Sequence, residues 1–76
     1  MTTYQKEIYC NKVKQQLEQK SEVNFGYTIM KNICVFDWYF LGQKKTYHFD
    51  IELLNNIGVR YKEVADWILE AVETQV

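Results

Sequence analysis

The sequence predicts an α+β domain, a two-layer α-β-β-β-α arrangement in which both helices cover one face of a three-stranded antiparallel meander. Three observations point there. Apolar residues recur at helical spacing near both ends of the chain; they alternate with period two between Glu22 and Glu52, where Val, Ile, Phe, Tyr and Trp concentrate; and that middle stretch is broken at Lys31-Asn32 and Gly42-Gln43, where a strand can reverse. At 76 residues, 47% of them hydrophobic and none proline, the chain reads as a single compact domain, 1–76, too short for two cores and too apolar for disorder.

The first element is a helix over 2–20. Thr2 stands three residues before Gln5, the spacing of a capping box, and a Lys/Gln/Glu-rich run without Gly or Pro follows. Tyr9, Cys10, Val13 and Leu17 share one side, while Tyr4 and Ile8 form a second, smaller apolar patch. Strands are predicted over 22–30, 33–41 and 44–52. A turn at Lys31-Asn32 places Phe25 opposite Trp38, Tyr27 opposite Phe36, Ile29 opposite Cys34 and Val23 opposite Phe40. A type II′ turn with Gly42 first and Gln43 second places Trp38 opposite Tyr47, Phe36 opposite Phe49 and Cys34 opposite Ile51. Both hairpins send their apolar residues to the same face, and a one-residue slip in either would destroy that agreement. Leu53 to Ile57 is a turn or helical turn, Gly58 a stop, and the last helix runs over 59–74 with Tyr61, Val64, Ala65, Ile68 and Val72 as its core stripe.

Two helices on one face leave the other face of the sheet open. Its residues are Asn24, Thr28, Met30, Ile33, Val35, Asp37, Tyr39, Leu41, Thr46, His48 and Asp50, a polar surround with an apolar centre. The charge is uneven behind a net value of -1: residues 1–47 carry seven Lys against four acids, and residues 48–76 two bases against six. The last helix holds most of that acidity as a stripe of Glu63, Asp66, Glu70 and Glu73, with Trp67 at its border.

Chemistry has few places to sit. A chain this small buries only about 60% of its unfolded surface, leaving little core to hollow into a pocket. Asp37 and His48 are predicted to face each other across two strands, which favours a structural cross-strand pair over a catalytic dyad: Thr28, Thr46 and Tyr39 are weak nucleophiles without activation, and no Gly-rich oxyanion loop adjoins them. Cys10 and Cys34 match no zinc-ligand or redox spacing, so both are expected as small buried hydrophobes. No catalytic residue, cofactor or metal is expected. The absence of an N-terminal apolar run or a membrane-length segment, together with unpaired cysteines, leads to the expectation of a reduced, cytoplasmic protein without membrane contact.

What remains is binding, and 16% aromatic content supplies contact area for it. The expected surfaces are the helix face of Glu63, Asp66, Trp67, Glu70 and Glu73, and the open sheet face of Ile33, Val35, Asp37, Tyr39, Leu41 and His48. The first suits a protein with a basic surface, and the second suits a protein partner or a second copy in a homodimer. Lys31, Lys44, Lys45, Arg60 and Lys62 are the candidate phosphate contacts. Their scatter and the acidic balance disfavour nucleic acid as the partner.

The order α-β-β-β-α resembles the double-stranded-RNA-binding domain, whose last helix opens on a basic cluster after a Gly-rich loop. The matching stretch here is Ile57-Gly58-Val59-Arg60-Tyr61-Lys62-Glu63, in which Arg60 and Lys62 match in charge. The same order, small size and acidic surface are similar to phage-encoded anti-CRISPR inhibitors. That resemblance implies a small non-enzymatic inhibitor, from a phage or mobile element, that blocks a surface of a nucleic-acid-handling protein. Both resemblances lie in element order, and no functional residue is carried over from either.

Overall fold

A computed structural model of the chain describes residues 1–74; Gln75 and Val76, the end of the predicted unit, lie outside the described residues. Helix α1 spans Thr3–Lys20; strands β1, β2 and β3 span Gly26–Met30, Ile33–Phe40 and Gln43–Asp50; and two helices follow, α2 at Ile51–Asn56 and α3 at Tyr61–Glu73. The fold is α+β, with one antiparallel sheet in the order β1-β2-β3.

Local chemistry sets the element ends. Thr2 caps α1: its Oγ1 accepts from Gln5 N at 3.1 Å and Gln5 Oε1 accepts from Thr2 N at 2.9 Å, the reciprocal box read from the sequence. Asp50 caps α2 by accepting from Leu53 N at 2.9 Å, so the chain turns helical at Ile51 and the predicted strand 44–52 ends at Asp50. Helix α2 closes in a Schellman arrangement, with Gly58 N donating to Asn55 O, Val59 N donating to Leu54 O, and Gly58 at φ 81°. Strand β1 is shorter than the predicted 22–30. Ser21 Oγ accepts from Val23 N at 3.2 Å, and regular pairing starts only at Gly26 opposite Asp37.

The first hairpin has the predicted register, with Tyr27 opposite Phe36 and Ile29 opposite Cys34. Phe25, although outside the strand, still packs on Trp38 with ring centroids 5.7 Å apart. The second hairpin differs. Its turn is Leu41-Gly42, both at positive φ as a type I′ turn requires, rather than Gly42-Gln43. Phe36 therefore faces Tyr47, Cys34 faces Phe49, and Trp38 faces Lys45. Two local demands select this register: glycine takes the second left-handed position, and α2 takes Ile51 out of the strand. Because partners move by two positions, every side chain keeps its predicted face.

That face forms the core. Cys10, Val13 and Leu17 of α1, Val64, Ala65 and Ile68 of α3, and Phe25, Cys34, Phe36, Trp38, Phe49 and Ile51 make one buried cluster, so α1 and α3 share one side of the sheet. Phe36 is its centre, stacked on Phe49 at 5.9 Å and tilted against Tyr27 at 5.4 Å. Polar ties join α1 to the first turn and to α3. Lys6 Nζ donates to Lys31 O and to Asn32 Oδ1, at 3.1 and 2.6 Å, holding the first turn, and Lys20 pairs with Asp66 at 3.1 Å. No helix among the described residues is long and apolar enough to cross a membrane.

Candidate functional site

The register lays out the open face in rows across the strands: Met30, Ile33 and Asp50; Thr28, Val35 and His48; Gly26, Asp37 and Thr46; then Tyr39 beside Lys44. Val35 is half-buried at the centre. Met30 is 60% exposed and Tyr39 69%, and Ile33 is also exposed, so the face offers apolar surface that none of the described elements covers. Beyond the end of β1, β2 and β3 continue as a two-stranded hairpin whose tip carries Leu41 at 87% exposure. Leu41 also sits at φ 51°, a left-handed conformation that glycine and asparagine adopt readily and leucine does not.

Asp37 and His48 do not face each other as predicted. The two-position register change puts His48 opposite Val35 and Asp37 opposite Thr46, which leaves the pair diagonal, about 7–8 Å apart by ladder geometry. The Asp37 carboxylate instead leans over Gly26, where a Cβ would lie 3.1 Å from its Oδ1. The proton-transfer pair is thus dispersed.

On the opposite side, the acidic stripe of α3 divides into separate roles. Glu63 Oε2 accepts from Arg60 N at 3.0 Å and serves as a cap, and Asp66 is paired with Lys20. Glu70 and Glu73 remain exposed, with Trp67 40% exposed at the border as predicted. The cations are not gathered. Lys31 lies in the first turn and Lys44 and Lys45 near the hairpin tip, roughly 20 Å apart at the rise of a strand, while Arg60 and Lys62 open α3.

Cys10 and Cys34 are both fully buried, as expected, but they also meet: the Cys10 side chain hydrogen-bonds Cys34, and this contact with burial pushes the Cys34 thiol well above its usual value. Their spacing gives no sign of this, because α1 and β2 come together only through the tertiary fold. Tyr9 donates to Val59 O at 3.0 Å, and burial, then the neighbouring Cys10 and Glu63, raise its phenol to about 12. Burial also raises Tyr27.

Sequence reasoning missed a concavity. An open cleft of about 520 Å³ lies between α1 and the α2–α3 connection, lined by Tyr9, Asn55, Gly58, Val59, Arg60 and Tyr61. Its residues come from distant stretches with no shared motif. The Tyr9 hydroxyl is already engaged, and Lys12 lies 5.6 Å from the Tyr61 ring centroid, so the lining holds no paired acid and base. No group of three or more His, Cys, Asp or Glu side chains is placed to share an ion among the described residues. No family model, curated protein or solved structure matches this chain, and the functional reading therefore rests on these surfaces themselves.

Proposed function

We propose that the chain is a small non-enzymatic interaction protein that works by covering a surface on another protein. Its leading contact is the open sheet face with the hairpin tip. The observation that carries this is Leu41, an apolar side chain held almost fully exposed, in a backbone conformation unfavourable for leucine, beside an exposed Tyr39. Neither feature helps the chain fold, and Leu41 with Tyr39 makes an aromatic and aliphatic anchor of the kind that fills a partner's pocket, while Met30 and Ile33 extend the apolar surface at the other end of the same face. The non-enzymatic reading is supported by the separation of Asp37 from His48 and by the burial of both thiols.

The α3 face is the second contact. Trp67, Glu70 and Glu73 suit a partner with a basic groove, as a nucleic-acid-handling protein has, and their charge would speed association. Inhibition follows if that groove is the partner's working surface, the mode of a phage or mobile-element inhibitor, in the cytoplasm. The test is capture from a lysate of the encoding organism using the wild type, Tyr39→Glu and Glu70→Lys. A partner kept by Glu70→Lys and lost by Tyr39→Glu supports the sheet face as the anchor. A partner lost only by Glu70→Lys transfers the function to α3, and equal retention by both variants removes the proposal.

A further inference from the structure

We infer that a second copy of this chain pairs along the free edge of β3, joining two three-stranded sheets into one six-stranded sheet about a two-fold axis at Tyr47. Strand β3 is an eight-residue edge whose pairing with β2 runs unbroken from Gln43 to Asp50, without bulge or proline. The opposite edge, β1, has only five residues. In an antiparallel ladder alternate residue pairs exchange both hydrogen bonds, and a two-residue turn makes Phe40 and Gln43 such a pair. Ile51 N donating to Asn32 O at 2.8 Å continues the same alternation. The odd-numbered residues of β3 therefore bond β2, and the backbone N–H groups of Lys44, Thr46, His48 and Asp50 point away from the sheet.

Self-pairing needs a register that tolerates its own charges, and one does. With Tyr47 opposite the partner's Tyr47, the outward-pointing residues face each other as Thr46 with the partner's His48 and Lys44 with the partner's Asp50. Thr46 and His48 exchange both backbone bonds across the axis, and Asp50 N–H reaches the carbonyl of Lys44. Each Lys44 ammonium meets a carboxylate on the same face, since Asp50 Oδ1 is taken by Leu53 N and Oδ2 is left to receive it. The half-buried Tyr47 rings meet on the helix side. Sliding one strand so that Lys44 faces the partner's His48 forfeits the charge match, and sliding further sets Lys45 against the partner's Lys45. Of these three registers the one centred on Tyr47 is self-complementary, as an isologous interface requires.

This contact is independent of the proposed function, because it leaves the open face exposed and extends it across both copies. The test is mass by sedimentation equilibrium from micromolar to near-millimolar protein. The wild type is expected to rise from the 9.2 kDa monomer to twice that mass. Thr46→Pro removes an N–H that bonds nothing in the monomer, so it is expected to keep the wild-type circular dichroism and remain monomeric. Lys44→Glu sets like charges opposite each other at both ends and is expected to weaken association by about tenfold. Tyr39→Glu, on the open face, is expected to dimerise normally. A wild type that stays monomeric throughout overturns the inference, as does a dimer that survives both Thr46→Pro and Lys44→Glu. A dimer lost to Tyr39→Glu but not to Lys44→Glu overturns it too, by placing the contact on the sheet face.

Discussion

Leu41 holds two properties that stability alone would not select, exposure of an apolar side chain and a left-handed backbone. Asparagine tolerates that backbone and, with Gly42, makes the preferred type I′ pair. Leu41→Asn is therefore expected to stabilise the fold by about 1 kcal/mol, raising the melting temperature by roughly 4–8 °C in calorimetry. Tyr9 gives a pH signature. Its phenol ionises at about 12 when folded against 10.0 in the open chain, so between these values the unfolded state has lost a proton that the folded state keeps. Its stabilising contribution is intact below pH 10 and is lost as pH rises through about 12. Urea midpoints should fall more steeply across this window in the wild type than in Tyr9→Phe. The thiols test the core directly: Cys10 and Cys34 should resist a thiol reagent in the native protein and both react in denaturant, and immediate native reaction of either would contradict their mutual burial.

At the scale of elements, the legible features were those fixed by neighbours in sequence. Thr2 and Gln5 announced α1 because a capping box spans three residues, and Gly58 announced a stop because the Schellman closure requires its φ of 81°. Helix α2 was less legible. The alternating pattern runs past Asp50 into Ile51 and Glu52, and only the capping capacity of Asp50 signals the change of period. The hairpin turn was misplaced by one residue because Gly42 suits the first position of a type II′ turn as well as the second of a type I′ turn. Both caps carry predictions for urea denaturation. Asp50→Ala should cost about 1 kcal/mol through loss of the bond to Leu53 N. Gly58→Ala should cost about the same from backbone strain, since a Cβ there meets nothing within 4 Å.

For the whole molecule, the layer arrangement was readable because face assignment depends on parity alone, which survived a register change that moved every partner in the second hairpin. The open sheet face follows from the same parity. The chemistry did not follow, because opposition of Asp37 and His48 depends on exact partners, and the Cys10–Cys34 contact and the Tyr9 cleft depend on how α1 settles on the sheet. Phe36 is where those layers meet. Phe36→Ala should cost about 3–5 kcal/mol, comparable to the whole stability of so small a domain, and the variant should be largely unfolded by circular dichroism.

The most direct test of the interaction surface is calorimetric titration of the captured partner with the wild type and Leu41→Asn, alongside their melting temperatures. A tip retained for binding rather than for folding predicts opposite changes, a higher melting temperature and an affinity weaker by about tenfold. A variant that is more stable and binds as tightly as the wild type would contradict the assignment of the hairpin tip as the contact.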